Sequence, residues 1–317
     1  RVTMMAAMLD PDIQRLLDTV LTGPAGAVAP DIAQLRAAAE EAPVLLGGEP
    51  EPVASIVDAA APGESGALSV RVYRPAAPAP LPLVVYAHGG GWVTGSLDSH
   101  DRLCRILANR LHAVLVAVGY RCAPEHVYPA ALDDFEAAWR WGRAEAKSLG
   151  ADGTRFAVAG DSSGGNLAAA LTLRLRSDGA AQPNMQLLLY PALDAACSRP
   201  SYREFATGYN LSAVQMAWYW DAYRAGAAKS AVGLSPLAAA DLSGLAPAVI
   251  AVAESDVLRD DALDYAARLR SANVPVHLIR CTGMIHGFLR WTGEVPAAQR
   301  WIAAIAAAAG AALGASA

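Results

Sequence analysis

The feature that most constrains this chain is residues 160–165, which read Gly-Asp-Ser-Ser-Gly-Gly. A β-like segment over 154–159 precedes this stretch, and an apolar helical pattern over 166–175 follows it. A strand, a sharp turn around a serine and a helix form the context in which Gly-x-Ser-x-Gly makes a nucleophile elbow. Such a turn strains the serine backbone and brings the flanking glycines together, where Cβ atoms would clash. The stretch predicts Ser162 as a nucleophile; a chance glycine-rich turn is the plainer alternative.

The size and charge of the chain fit one large α/β domain with a small additional layer. It has 317 residues, of which 54% are hydrophobic and 17% charged, and its formal net charge is −5. This balance favours neither nucleic acid nor an anionic membrane as a partner. Its four cysteines are scattered, its histidines lack metal-ligand spacing, and its first residues lack a signal-peptide core. We therefore expect a cytoplasmic protein with no metal, no cofactor and no stable membrane insertion.

Strand and helix patterns alternate along most of the chain, which predicts a mostly parallel sheet of about eight strands flanked by helices. Two helices, starting at Asp10 and Asp31, precede the first strand, and Pro43 is expected to end the second. An aromatic-rich segment later interrupts the alternation. The predicted units are N-terminal cap helices at 1–50, the first part of the body at 51–194, a cap insertion at 195–236 and the second part of the body at 237–317.

A nucleophilic serine needs a base that takes its proton and a carboxylate that orients the base. His286 lies in a glycine-flanked loop just after a predicted strand, where an exposed base is expected. Asp256 comes first after the preceding strand, whereas Asp260 and Asp261 are better explained as first-turn carboxylates of the next helix. The order Ser162, Asp256, His286 is the order found in α/β-hydrolases.

A run of glycines after the buried strand at 83–87 predicts where an oxyanion would be held. In His88-Gly89-Gly90-Gly91-Trp92, successive backbone N–H groups can converge on one point, as an oxyanion hole requires. A phosphate-binding loop is the competing interpretation, but the glycine patterns typical of dinucleotide and P-loop sites are absent from the sequence. His88 itself is a second candidate base, although the favoured interpretation is that it braces the loop through backbone hydrogen bonds.

Taken together, these motifs resemble the bacterial hormone-sensitive lipase family of esterases, in its GDSAG-type subgroup, over nearly the whole chain. The resemblance implies an α/β-hydrolase fold with a helical cap, in which Ser162 is the nucleophile, Asp256 the orienting acid and His286 the base. The motifs that carry it are His88-Gly89-Gly90-Gly91-Trp92, Tyr120-Arg121-Cys122-Ala123-Pro124-Glu125-His126, Pro129-Ala130-Ala131-Leu132-Asp133-Asp134, Gly160-Asp161-Ser162-Ser163-Gly164-Gly165, Asp256-Val257-Leu258-Arg259-Asp260-Asp261 and His286-Gly287-Phe288.

The same resemblance implies that the backbone N–H groups of Gly89, Gly90 and Ser163 form the oxyanion hole. Three residues depart from the family pattern: Ser163 replaces the usual alanine, Val257 the usual proline and Asp261 the usual glutamate. The last two changes leave open which carboxylate serves as the acid. Candidate substrate-binding residues are Trp92, Asp161, Tyr190, Leu211 and Ile285.

The predicted function is a carboxylesterase that hydrolyses short- to medium-chain acyl esters through an acyl-enzyme, since the small cap argues against long triglycerides. Two alternatives stay open: a non-catalytic small-molecule binding protein on the same fold, and an amidase or acyltransferase with the same triad. The family also suggests a homodimer through the last strand, at 276–281, which would cover an open sheet edge.

Overall fold

A computed structural model describes residues 8–21 and 31–314. Its strands form one eight-stranded sheet in the order β1-β2-β4-β3-β5-β6-β7-β8. The strands are β1 (Ser55–Gly63), β2 (Gly66–Arg74), β3 (Leu81–Ala87), β4 (Val114–Val118), β5 (Ala151–Asp161), β6 (Met185–Leu189), β7 (Ala248–Ser255) and β8 (Val276–Ile285). The α-helices are α1 (Pro11–Thr19), α2 (Ile32–Leu46), α3 (Asp101–Leu111), α4 (Ala130–Ala144), α5 (Ser163–Ser177), α6 (Ser201–Glu204), α7 (Ala213–Arg224), α8 (Arg259–Ser271) and α9 (Pro296–Ala312).

The sheet is antiparallel at one edge and parallel elsewhere, which confirms the predicted architecture. The β1–β2 hairpin pairs with β4 in antiparallel register, and the strands from β4 to β8 run parallel. The carboxyl ends of β3, β5, β7 and β8 consequently meet at one edge of the sheet. The glycine run, Ser162, Asp256 and His286 directly follow those four strands, so the topology brings them to the same place.

Both faces of the sheet are covered by helices. One buried cluster joins the sheet to α4, α5 and α8, and a second joins its other face to α3 and α9. Every residue of β3, β4 and β6 is buried, which explains why these strands read as continuous apolar runs. Among the described residues, no helix has the length and apolar character that a membrane crossing requires.

The N-terminal helices begin where the sequence predicts, but the second one ends later. Asp10 caps α1 by accepting the N–H of Asp12, and Asp31 caps α2 in the same way. Pro43 lies inside α2, which continues to Leu46, so the expected stop at Pro43 is wrong. A proline removes only its own N–H donor, and the burial of Leu46 against the sheet layer favours one further turn.

The aromatic-rich segment predicted as the cap insertion, at 195–236, packs against Trp92, which follows the glycine run after β3. The ring of Trp92 stacks on Tyr223 of α7 at a centroid distance of 4.5 Å and also meets Trp220 at 4.3 Å. These rings belong to the core on the α4–α5 side, whereas Ile13 and Leu16 of α1 belong to the opposite core. The division of the chain into cap and body at the predicted boundaries remains a prediction.

Candidate active site

Ser162 occupies the turn between β5 and α5 in a strained backbone conformation, with φ 55° and ψ −117°. A Cβ atom on Gly160 would collide with the backbone of Gly164. A Cβ atom on Gly164 would collide with the carbonyl group of Ala87 at the end of β3. The mechanical reason inferred for both glycines is therefore confirmed, and Gly164 also lets the first turn of α5 approach the end of β3.

Three side chains that are distant in sequence form a continuous hydrogen-bonded chain. His286 Nε2 lies 2.9 Å from Ser162 Oγ, and His286 Nδ1 lies 2.7 Å from Asp256 Oδ2. A carboxylate can only accept, so Nδ1–H donates to Asp256 and leaves the Nε2 lone pair facing the serine hydroxyl. Asp256 is 1% exposed, Ser162 7% and His286 8%. This arrangement can move a proton from the hydroxyl to the ring while the ring is held in orientation.

The other two carboxyl groups that follow β7, those of Asp260 and Asp261, bond to groups other than His286. Asp260 pairs with the neighbouring Arg259, at 2.8 Å between Nε and Oδ1. Asp261 is fully buried and accepts two backbone N–H groups from the chain after β6, each at 3.1 Å. Burial raises the pKa of Asp261 to about 8. Within the described chain, Asp256 is therefore the carboxylate that hydrogen-bonds His286.

One of the predicted oxyanion donors in the glycine run, the N–H of Gly89, already has an acceptor within the protein. The N–H of Gly89 donates to Asp161 Oδ1 at 2.8 Å, so it is not available to an oxyanion. The assignment of Gly89 as an oxyanion donor is therefore wrong. For the next two glycines, Gly90 and Gly91, the described structure contains no acceptor for the N–H groups. Ser163 is the first residue of α5, where the N–H has no acceptor within the helix.

Asp161 anchors the glycine run to the elbow. Its carboxylate is 2% exposed, accepts the hydroxyl of Tyr86 at 2.6 Å, and lies 3.4 Å from His100 Nε2. Burial alone would raise the pKa of Asp161, but the adjacent His100 and the donors around it hold that pKa well below its usual range. The Oδ1 atom faces Tyr86, Gly89 and His100, and a contact of Asp161 with substrate remains a prediction. The partners lie on other strands and loops, and nothing in the local pattern reveals them.

His88 braces the same loop. Its Nδ1 lies 2.8 Å from the carbonyl oxygen of Gly89, and its ring stacks on Tyr120 at 4.1 Å between centroids. Burial lowers the pKa of His88 to about 3, so the ring is neutral near pH 7. The bracing role is thus confirmed, and His88 does not contact Ser162.

Comparison with known proteins agrees with this geometry. A family model described as "alpha/beta hydrolase fold" matches residues 84–290. Ethyl acetate hydrolase from Pseudomonas putida is 39% identical over 293 residues, covering 89% of this chain and 92% of that protein. Carboxylesterase NlhH from Mycobacterium tuberculosis is 43% identical over 236 residues, covering 73% of this chain and 74% of the relative. The chain belongs to the hormone-sensitive lipase-like family of α/β hydrolases.

Solved structures extend the match to almost the whole chain. A hyperthermophilic esterase from the archaeon Pyrobaculum calidifontis superposes with a TM-score of 0.89 at 36% identity, covering 96% of this chain and 98% of that one. An ester hydrolase from the metagenome of Lake Arreo, complexed with a derivative of bipyridine phosphonate, gives 0.91 at 37% identity, covering 97% and 100%. The motif-based resemblance is confirmed, and by this relationship the chain is a carboxylester hydrolase.

The remaining candidate substrate-binding residues of this hydrolase occupy different surroundings. Tyr190 is buried and meets the ring of His286 edge-on at 4.9 Å, so it packs directly against the predicted base. Trp92 and Ile285 are fully buried, whereas Leu211, in the insertion, is only half-buried. Contacts of Trp92, Tyr190, Leu211 and Ile285 with a substrate remain predictions. The sequence did not indicate Gly91 as a candidate oxyanion donor, although it is the third glycine of the run and its N–H has no acceptor in the described structure.

Proposed function

We propose that this hydrolase is a carboxylesterase for short- to medium-chain acyl esters that uses Ser162 as nucleophile, His286 as base and Asp256 as orienting acid. One observation carries the proposal: the hydrogen-bonded chain from Asp256 through His286 to Ser162 at the carboxyl edge of the sheet. The strained backbone of Ser162 supports it, since such conformations persist at sites where the surrounding structure enforces them.

The reaction begins when His286 Nε2 accepts the proton of the Ser162 hydroxyl as Oγ attacks the ester carbonyl carbon. The ring becomes an imidazolium, and the carboxylate of Asp256 stabilises it through the Nδ1–H bond of 2.7 Å. The carbonyl π bond breaks and a tetrahedral oxyanion forms. We assign its stabilisation to the N–H groups of Gly90, Gly91 and Ser163, each worth about 3–4 kcal/mol in a water-excluded site.

Collapse of the tetrahedral species breaks the bond to the alcohol oxygen, which takes the proton from His286 and leaves. Ser162 then carries the acyl group. Water repeats the sequence: His286 accepts a proton from water, the hydroxide attacks the acyl carbon, and Ser162 Oγ departs with the proton returned by the ring.

Two observations support small acyl groups. Ser162 and His286 are each less than a tenth exposed, and the rings of Trp220 and Tyr223 close over Trp92 beside the glycine run. The relatives of the chain include an ethyl acetate hydrolase and a carboxylesterase, which supports an ester as substrate. They also disfavour the non-catalytic binding protein.

The test is a series of 4-nitrophenyl esters, from acetate to palmitate, assayed with the wild-type protein and Ser162→Ala. We expect kcat/KM to be highest for short or medium acyl chains, and Ser162→Ala to reduce it by more than about 10⁴-fold. Ser163→Ala is the matched control, because it changes the neighbouring hydroxyl and leaves the backbone N–H in place. Preference for emulsified long-chain fat, or equal activity of Ser162→Ala and wild type, would contradict the proposal. Turnover confined to amides would favour the amidase alternative.

We further propose a cytoplasmic homodimer that pairs through β8. Its support is the position of β8 at the open edge of the sheet, where unpaired backbone groups favour pairing with a second copy. Light scattering coupled to gel filtration tests the dimer, and Leu278→Pro, at a position whose N–H faces away from β7, should shift it to monomer. Fractionation of producing cells tests the location.

A further inference from the structure

An arginine beside the triad, Arg290, forms no ion pair with any residue that the structure describes. Arg290 ends the short 3₁₀ turn Phe288–Arg290, four residues after His286, and is half-buried. Its Nε is buried and has no hydrogen-bond partner, and among the described residues its guanidinium forms no ion pair. Residues 1–7, 22–30 and 315–317, which lie outside the described chain, contain no Asp or Glu. Other half-buried arginines differ: Arg121 and Arg174 bond carboxylates at 2.9 and 2.7 Å.

A second side-chain donor, that of Asn210, lies near Gly287, as Arg290 does. A Cβ atom placed on Gly287 would lie 3.8 Å from Arg290 Nη2 and 3.9 Å from Asn210 Nδ2. Asn210 is exposed, belongs to the insertion between α6 and α7, and donates to the carbonyl oxygen of His286 at 3.3 Å. Two nitrogen donors from separate segments thus flank the residue that follows the predicted base, at a place that solvent reaches.

The charge of Arg290 acts on two tyrosines, one beside His286 and one beside the glycine run. Burial raises the pKa of Tyr190, which contacts the ring of His286, and the positive charge of Arg290 opposes that rise. The same two effects act on Tyr219, whose ring lies where a side chain on Gly91 would be. The cation therefore acts on groups beside His286 and beside the glycine run, and it also helps to lower the pKa of the buried Asp161.

We propose that Arg290, with Asn210 beside it, binds a carboxylate carried by the substrate, so that the preferred esters are anionic. The inference rests on the proposed esterase function of Ser162. A guanidinium presents parallel N–H donors that match the two oxygens of a carboxylate. A partly desolvated and unpaired cation gains more from such a ligand than an exposed one, because water screens it less. Half-esters of dicarboxylic acids and acylated hydroxy acids are the two substrate classes with this chemistry.

Paired substrates separate the two classes. Mono-4-nitrophenyl glutarate carries the carboxylate on the acyl side, and its methyl ester is the neutral partner. The compound 4-(butanoyloxy)benzoate carries the carboxylate on the alcohol side, and its methyl ester is again neutral. The measured quantity is the ratio of kcat/KM for each anionic ester to that of its neutral partner, in wild type, Arg290→Met and Arg290→Lys. Arg300→Met removes an exposed arginine of α9 and serves as the matched control.

In Arg290→Met we expect the anionic-to-neutral ratio to fall about tenfold for one of the two pairs, as loss of a charge-assisted bond predicts. Arg290→Lys should recover part of the ratio, Arg300→Met should not change it, and about 1 M salt should lower it in wild type. The pair that responds identifies the side of the ester that Arg290 contacts. An unchanged ratio in both pairs, or an equal fall for anionic and neutral esters, would overturn the inference, since a purely structural cation affects both alike.

Binding without turnover separates this inference from the proposed function. Ser162→Ala titrated calorimetrically with mono-4-nitrophenyl glutarate and with 4-(butanoyloxy)benzoate measures affinity alone. Adding Arg290→Met should weaken the binding of one of them about tenfold. If wild type hydrolyses none of the esters, the proposed function fails, and this titration still decides the carboxylate site. Equal affinities with and without Arg290 would reject that site.

Discussion

Replacing Asp161 by asparagine tests how the glycine run beside Ser162 is held in place. The Asp161 carboxylate accepts the N–H of Gly89 at 2.8 Å and the hydroxyl of Tyr86 at 2.6 Å. Asparagine has nearly the same shape but offers a neutral acceptor. The substitution therefore weakens both bonds without opening a cavity.

The expected loss of stability and activity follows from the charge of the acceptor, which Asp161→Asn removes. A hydrogen bond to a charged group contributes about 1.5–3 kcal/mol and a neutral one about 0.5–1.5, so each bond loses about 1–1.5 kcal/mol. Loss from both bonds lowers the free energy of unfolding by about 2–3 kcal/mol. The Gly89 bond alone positions the loop, and about 1–1.5 kcal/mol of lost positioning reduces kcat by roughly five- to tenfold.

The assay combines hydrolysis of 4-nitrophenyl butyrate with urea unfolding. In Asp161→Asn we expect kcat to fall by roughly five- to tenfold and KM to change by less than about threefold, because the loop acts on the transition state. Asp261→Asn is the control: it alters a similarly buried carboxyl group that accepts two backbone N–H groups of the chain after β6 and forms no hydrogen bond with the glycine run. Its kcat should stay at the wild-type value. Wild-type kcat in a folded Asp161→Asn protein, or an equal loss in both variants, would refute the anchoring role.

Three further predictions concern the acid, the elbow and pH. Asp256→Asn should lower kcat by about 10³–10⁴-fold, whereas Asp260→Asn should keep it within about threefold, because Asp256 bonds the proposed base and Asp260 bonds Arg259; the reverse ranking would reassign the acid. Ser163→Ala should retain hydrolysis of 4-nitrophenyl butyrate, since its N–H persists, and a collapse matching that of Ser162→Ala would mean that the elbow is misread. Burial raises the pKa of Asp261 from 3.8 to about 8, so the folded protein holds an extra proton in that window and its free energy of unfolding should fall as pH rises from about 4 to 8. Urea unfolding at pH 5 and pH 8 measures this change, and the difference in the free energy of unfolding between the two pH values should be smaller in Asp261→Asn than in wild type. Equal differences in the two proteins would reject Asp261 as the group responsible.

The sequence by itself determined the fold class, the strained turn at Ser162 and the chain order of the three residues of the proposed triad. These depend on local signals: apolar runs of strand length, helical periodicity, and glycines that flank a serine at fixed spacing. In a parallel sheet, residues that follow strands collect at one edge whatever the packing details. The positions of Ser162, Asp256 and His286 after β5, β7 and β8 were therefore predictable.

Only the tertiary structure decided which polar groups around the site form hydrogen bonds within the protein and which do not. The N–H of Gly89 meets Asp161 because β3 and β5 are neighbours in the sheet, a pairing between residues 72 positions apart. The same applies to Arg290, whose guanidinium meets no carboxylate among the described residues, and to Pro43, where burial of Leu46 outweighs one missing donor. Strand order and packing arise from the whole chain, so no local pattern encodes these partners.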